Sequence, residues 1–253
     1  MILEHYEWGD PAAQPVICIH GVGSEARSWN RIARERWGLK FRVIAFDLRG
    51  HGRSGWEPPW THATYTADLL ESIDALGVYD ADWVGYSFGG RLLLDLAAQA
   101  PERINRAALL EPVIQIPPEL ALRRAQEELS GDVWDSLDAF LEGHGVVEQV
   151  SEEYAAEAAQ QFDTLADGRI RRRTCQPAIV SIFSEFASPS PPPETLSMPA
   201  MLLYAPEFQL VTSDHVAAYM PYVESIVEVP GGHGIFRTAF DETASAVERF
   251  LEA

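Results

Sequence analysis

Hydrophobic positions in the first 110 residues follow two alternating patterns. Short apolar runs alternate with longer segments of helical periodicity, which is typical of parallel strands joined by crossover helices. The apolar runs predict strands over 16–20, 41–47, 81–85 and 106–110. The helical spacing between them predicts helices over 28–36, 64–76 and 90–100.

The pattern changes after Pro112. Apolar residues then recur at helical spacing for about 75 residues, and no strand is predicted among them. This stretch ends in the proline-rich connector 188–193, which we interpret as a stiff extended segment.

Strand patterns return in the last part of the chain. They predict strands over 200–204 and 225–229, followed by a terminal helix from about 238 to 251. The simplest interpretation is an α/β core that contains a helical insertion. The domain bounds we predict are 1–112 and 194–253 for the core and 113–193 for the insertion.

The charge balance argues against two classes of partner. The chain has 38 acidic and 19 basic side chains, a net charge of −19. Proteins that bind nucleic acids or anionic membranes usually carry an excess of Lys and Arg. We therefore expect neither partner.

Composition and the N-terminal residues indicate the kind of protein and its location. The 47% hydrophobic content is that of a globular protein. No basic start followed by an apolar stretch is present, and no 18 apolar residues are consecutive, so we predict a cytoplasmic protein. The two cysteines and seven histidines show no metal-binding spacing, and we expect neither a metal nor an organic cofactor.

The string Gly85-Tyr86-Ser87-Phe88-Gly89 has the form Gly-x-Ser-x-Gly. It lies between a predicted strand and a predicted apolar helix, the setting in which a sharp turn exposes a nucleophilic serine. Glycines are required because side chains on either side of such a tight turn would collide. We therefore predict Ser87 as a nucleophile.

Two further loops follow predicted strands. His20-Gly21-Val22-Gly23 could supply the backbone N–H of Val22 to an oxyanion, together with the N–H of Phe88 after the serine. Pro230-Gly231-Gly232-His233-Gly234 places a histidine at the end of the last strand. Imidazole is well suited to proton transfer near neutral pH, and we predict His233 as the general base.

In this order, the motifs resemble those of the α/β-hydrolase superfamily over nearly the whole chain. The resemblance rests on His20-Gly21, the stretch from Asp47 to Ser54, the turn at Ser87 and the Gly-His of His233. It implies a mostly parallel eight-stranded sheet, a helical cap inserted after the sixth strand, and an active site between cap and sheet. The stretch 47–54 would then shape a loop beside the site.

The third member of the expected catalytic triad departs from the family pattern. Members commonly place an Asp shortly after the seventh strand, and the matching position here is Phe208. Glu111, after the sixth strand, matches the acid of other branches and is favoured. Glu207 is the alternative, whereas Asp214 is more simply explained as a charge at a helix N-terminus.

The resemblance and the serine together imply an esterase. We expect hydrolysis of a small, largely apolar carboxylic ester through an acyl-enzyme by a monomer or homodimer. A lactonase, a carbon–carbon bond hydrolase and a MenH-like lyase remain alternatives, as does a ligand-binding protein with little turnover. Aromatic residues that could line an apolar substrate pocket are Trp56, Trp60, Trp134, Phe140 and Phe183.

Charge also bears on the substrate. The predicted cap, 113–193, holds 14 acidic and 6 basic side chains, so it is more acidic per residue than the remainder. Long-range repulsion should then disfavour anionic substrates, and this preference should weaken as salt screens the field.

Overall fold

A computed structural model describes residues 1–143, 150 and 152–253, except for the side chains of Glu153 and Glu157. The strands found in this part of the chain are β1 (His5–Trp8), β2 (Pro15–Ile19), β3 (Arg42–Phe46), β4 (Ala81–Tyr86), β5 (Ile104–Leu110), β6 (Val133–Trp134), β7 (Phe162–Thr164), β8 (Ile170–Arg172), β9 (Ala200–Tyr204) and β10 (Ser225–Glu228).

The α-helices of the described residues lie between and after these strands. They are α1 (Asn30–Glu35), α2 (His62–Ala75), α3 (Phe88–Gln99), α4 (Pro118–Leu129), α5 (Leu137–Gly143), α6 (Glu152–Ala159), α7 (Gln176–Glu185), α8 (Ser213–Tyr219), α9 (Ile235–Thr238) and α10 (Phe240–Leu251). The helices and strands predicted for the core all occur within a few residues of their predicted bounds.

The central sheet has the order β1-β3-β2-β4-β5-β9-β10. Every neighbouring pair is parallel except β1 and β3 at one edge, so the predicted α/β-hydrolase fold with a mostly parallel sheet is confirmed. The described residues form seven strands of this sheet, where the resemblance implied eight. Strand β1 was not predicted from the sequence. It lies half-exposed at the edge of the sheet, where a strand does not need a long run of apolar residues.

The two faces of the sheet bury separate hydrophobic layers. In β2, Ile17 and Ile19 point into one layer, whereas Val16 and Cys18 point into the other. All four side chains are fully buried, as expected for a strand covered by helices on both faces.

The segment between β5 and β9 is not purely helical, and the expectation that it lacks strands was wrong. Strands β6, β8 and β7 form a small antiparallel sheet beside α4 to α7. Each has only two or three residues, too short for an alternating pattern to be recognised. Residues 144–149 and 151 of the predicted insertion lie outside the described residues, and its bounds stay a prediction.

Both ends of this segment are tied to the helix that follows Ser87. Arg91 of α3 is almost completely buried, and its guanidinium donates to the backbone carbonyls of Ile114, Ser188 and Pro189. Its Nε also contacts Asp95 at 3.1 Å. Because the donors are fixed by one rigid guanidinium, the beginning and end of the segment are held close together.

Candidate active site

Ser87 occupies the sharp turn between β4 and α3. Its φ is +55°, a left-handed conformation that is uncommon for residues with a side chain. The turn leaves no room beside it: a Cβ on Gly89 would lie 2.1 Å from the carbonyl oxygen of Ile19, and one on Gly85 would lie 2.4 Å from that of Gly89. The two glycines of the motif therefore have a steric cause.

The hydroxyl of Ser87 faces the imidazole of His233. The distance between Ser87 Oγ and His233 Nε2 is 2.9 Å, a hydrogen bond. The two residues come from different loops at the carboxyl ends of β4 and β10, where ligand sites of parallel sheets usually lie. The histidine side chain is 29% exposed, so its ring is accessible from the outside.

Glu111 approaches the other nitrogen of the imidazole. Its carboxylate is fully buried; Oε1 accepts a hydrogen bond from the N–H of Ala205 at 3.0 Å, and Oε2 lies 3.9 Å from His233 Nδ1. Neither Oε2 nor Nδ1 has a hydrogen-bond partner in the described structure. Glu111 also has a left-handed φ, +46°. The favoured acid candidate is thus the carboxylate that the described structure places beside the imidazole of His233.

The other acid candidates lie elsewhere. Glu207 is exposed, and no hydrogen bond or ion pair connects it to the residues that the structure describes. Asp214 is exposed in the first turn of α8, in agreement with its interpretation as a helix N-terminal charge. At the position where the family commonly has Asp, the ring of Phe208 instead stacks on the imidazole of His233, with centroids 4.8 Å apart and planes at 20°.

A second aromatic ring contacts the same imidazole. Tyr86, the residue before the serine, stacks on His233 with centroids 5.2 Å apart and planes at 27°. Its hydroxyl donates to the backbone carbonyl of His233 at 2.6 Å. Tyr86 therefore links the serine turn to the histidine loop directly.

The loop after β2 is fixed by two buried histidines. His20 Nε2 accepts a hydrogen bond from the N–H of Leu48, and His51 Nε2 accepts one from the N–H of Gly23. Burial lowers the pKa of both imidazoles, and the neighbouring His20 lowers the pKa of His51 further. A neutral imidazole is required at each position, because a protonated ring could not accept these bonds.

The same loop packs closely on Ser87. A Cβ on Gly21 would lie 3.3 Å from Ser87 Cβ, so the loop passes directly over the serine. Within the described structure, the backbone N–H groups of Val22 and Phe88 donate to no other group. One free donor thus directly follows Ser87 in the chain and the other lies in the loop that packs against it, as an oxyanion would require.

A cavity of about 580 Å³ opens above Ser87 and His233. Of the aromatic residues predicted to line it, Trp134 and Phe183 do so. Phe140 instead packs edge to face with Trp134, with ring centroids 4.9 Å apart, and Trp60 packs against the hydrophobic core. Trp56 is 46% exposed outside the cavity.

Most of the cavity wall was not predicted from the sequence. Its additional apolar residues come from the segment after β5, from α4, from the end of α7 and from the loop after β9; they are Val113, Ile116, Leu120, Phe186 (the residue that follows α7), Phe208 and Leu210. They have the ordinary apolar spacing of core residues, so nothing in the sequence separates them from the core.

The charged residues Arg124, Glu127 and Glu128 that line the cavity each have an oppositely charged partner, and the partner of Glu128 is not itself part of the lining. Arg124 lies 3.0 Å from Glu127, and Glu128 lies 2.5 Å from the buried Arg172 of β8. Each pair combines one positive and one negative charge. The wall therefore presents apolar surface together with compensated charges.

The described residues contain no cluster of three or more His, Cys, Asp or Glu side chains able to hold a metal ion. None of the described helices is both long enough and apolar enough to cross a bilayer.

Comparisons with known proteins agree with this architecture. A family model described as the α/β hydrolase fold matches residues 14–151. Lipase LipV of Mycobacterium tuberculosis is 32% identical over 183 residues, which cover 71% of this chain and 69% of the lipase.

Solved structures resemble the chain over almost its whole length. A hydrolase from Pseudomonas aeruginosa PA01 has a TM-score of 0.82 at 22% identity, covering 98% of this chain and 94% of its own. The enol-lactonase from Burkholderia xenovorans LB400 has a TM-score of 0.81 at 20% identity, covering 99% of this chain and 96% of its own. At these identities, the likeness is one of fold.

Proposed function

Since this chain belongs to the α/β-hydrolase family and is a hydrolase of that fold, we propose that it is a serine esterase. The substrate class is a small, largely apolar carboxylic ester, cleaved through an acyl-enzyme. The observation that carries the proposal is the hydrogen bond of 2.9 Å between Ser87 Oγ and His233 Nε2 at the base of an apolar cavity.

In this mechanism, Ser87 Oγ attacks the carbonyl carbon of the ester while its proton moves to His233 Nε2. The tetrahedral intermediate collapses, the bond to the alcohol oxygen breaks, and that oxygen takes the proton from the imidazolium. Water then attacks the acyl-enzyme with His233 again as base. The products are the carboxylic acid and the alcohol, and the serine regains its proton.

Glu111 is the acid of the proposed triad. A buried anion beside Nδ1 favours the tautomer that carries its proton on Nδ1, and this tautomer leaves Nε2 free to accept the proton of Ser87. The distance of 3.9 Å between Oε2 and Nδ1 is longer than a hydrogen bond. Catalytic hydrogen bonds often shorten only when the substrate is bound, and we expect that here.

The backbone N–H groups of Val22 and Phe88 form the proposed oxyanion hole. The N–H of Phe88 lies at the N-terminus of α3, where the helix dipole also favours a developing negative charge. Loss of one such donor typically costs about 3 to 4 kcal/mol in transition-state stabilisation.

The cavity supports a neutral substrate. Arg124 and Glu127 of its lining pair with each other, and Glu128 pairs with the buried Arg172 outside the lining, whereas the chain as a whole has a net charge of −19. An anionic ester of equal size should therefore be turned over more slowly at low ionic strength, and the difference should shrink as salt is added. Equal turnover of both esters at low salt would remove this preference and leave the triad unaffected.

Hydrolysis of p-nitrophenyl butyrate by the wild type and by Ser87→Ala tests the proposal. We expect turnover by the wild type and its loss in the variant, with labelling by a fluorophosphonate only in the wild type. Equal turnover by both proteins would refute it. A wild type that resists the fluorophosphonate would favour the ligand-binding alternative.

A lactonase, a carbon–carbon bond hydrolase and a MenH-like lyase would use the same residues. A substrate panel with matched lactones, vinylogous diketones and esters separates the first two from an esterase, and turnover of none of the three would favour the lyase. Ser87→Ala should abolish whichever activity is found.

A further inference from the structure

The loop after β9 carries a backbone feature that it shares with the proposed triad. Among the described residues, the non-glycine residues with a left-handed φ are Ser87, Glu111 and Gln209, the last at +58°. Such conformations cost free energy and concentrate at functional sites. Two of the three belong to the proposed triad, and the third directly follows Phe208.

Phe208 has little role in the hydrophobic core. Its side chain is 47% exposed, although burial of a phenylalanine side chain is strongly favourable. Its ring instead stacks on the imidazole of His233 and lines the cavity. The strained backbone thus holds an exposed ring against the proposed base.

The imidazole of His233 has few other constraints. It lies on the glycine-rich loop 230–234, where Gly231 has a φ of +89°, and its Nδ1 makes no hydrogen bond in the described structure. Stacking by Phe208 and Tyr86 therefore supplies much of the contact that fixes the ring plane.

We propose that Phe208 is a positioning residue for catalysis, stacking on His233 from the position where the family commonly has its acid. The inference rests on the proposed esterase mechanism. When Ser87 loses its proton, the imidazole becomes a cation, and the negative face of an aromatic ring attracts a cation placed over it. The ring of Phe208 then both orients the base and stabilises its charged form, while Glu111 acts through its charge.

Fluorination of Phe208 tests this without changing the shape of the pocket. Incorporation of 4-fluoro-, 3,4,5-trifluoro- and pentafluorophenylalanine weakens and finally reverses the ring quadrupole. We expect kcat and the rate of fluorophosphonate labelling at Ser87 to fall stepwise along the series, by about tenfold at the last member. KM should stay within about twofold. Phe208→Tyr should keep most activity, and Phe208→Leu should lose about tenfold in kcat.

Phe183 provides the matched control. It lines the same cavity, but its ring contact is with Phe186 and not with His233. A residue that only forms the cavity wall should change KM, so the same series at Phe183 should move KM without an ordered fall in kcat.

The outcomes separate this inference from the proposed function. A wild type that reacts with the fluorophosphonate at the same rate as every Phe208 variant overturns the role of Phe208 alone. A wild type that does not react overturns both. If Phe208→Leu does not fold, the tyrosine and fluorinated variants, which keep the ring, still decide the result.

Discussion

Replacing Glu111 with glutamine removes one buried negative charge and keeps the shape of the side chain. The amide oxygen can still accept the hydrogen bond from the N–H of Ala205, which Oε1 now accepts at 3.0 Å. The amide NH₂ would then face His233 Nδ1 in place of Oε2. Two donors would oppose each other, which favours the tautomer with its proton on Nε2, and this tautomer cannot accept the proton of Ser87.

The separation of 3.9 Å sets the size of the effect. Two unit charges at this distance interact by roughly 4 kcal/mol at the effective dielectric constant of about 20 that describes protein sites. The imidazolium of His233 exists only after proton transfer, so this energy is lost from the transition state and not from the ground state. At about 1.4 kcal/mol for each factor of ten, kcat should fall about a thousandfold with KM nearly unchanged.

Steady-state hydrolysis of p-nitrophenyl butyrate measures this effect, and Glu207→Gln is the matched control. Glu207 directly precedes Phe208 in the chain, which makes it a matched position. Because its side chain is exposed, its replacement should leave kcat within about twofold of the wild-type value. Thermal unfolding of both variants checks that the fold is intact. A Glu111→Gln enzyme with wild-type kcat would refute the reasoning, and a large loss in Glu207→Gln would transfer the acid role to that residue.

Replacements at three other positions test the scaffold of the site. His51→Leu removes the acceptor of the Gly23 N–H and should lower kcat by about tenfold or more, whereas His51→Gln keeps an acceptor and should restore most of it; equal kcat values for both would contradict this role. Gly89→Ala forces a Cβ against the carbonyl of Ile19 and should destabilise the protein by about 3 kcal/mol in urea titrations, and an unchanged urea midpoint would contradict this close contact. Burial raises the pKa of Asp82 to about 6, above its unfolded value near 3.9, so its protonated form stabilises the fold at low pH and that contribution is lost as pH rises through 6. Asp82→Asn should therefore stabilise the protein by about 1 kcal/mol more at pH 8 than at pH 5, and an equal effect at both values would count against this pKa.

Much of the core could be predicted because its signals are local. A strand covered on both faces needs a short apolar run, as in β2, and a crossover helix needs apolar residues every three or four positions. The turn at Ser87 likewise requires glycines within two residues on either side. The short strands β6, β7 and β8 were missed because two or three residues are too few to show a period.

The choice between the two acid candidates shows why the rest of the site could not be predicted from the sequence. The sequence left Glu111 and Glu207 open, since both follow strands and neither spacing is decisive. In the structure, the left-handed backbone at Glu111 directs a buried carboxylate to within 3.9 Å of His233, while Glu207 points into solvent. A side-chain direction of this kind depends on one backbone angle that glutamate does not itself dictate.

By itself, the sequence determined the α/β core, the serine turn and the histidine loop, because each depends on residues that are neighbours in the chain. Only the tertiary structure decided which carboxylate approaches the imidazole, that Phe208 stacks on it, and which apolar residues line the cavity. These contacts join segments that are far apart in sequence, such as the loops after β5, β9 and β10. They are fixed by strand order and packing, and no local pattern of residues predicts them.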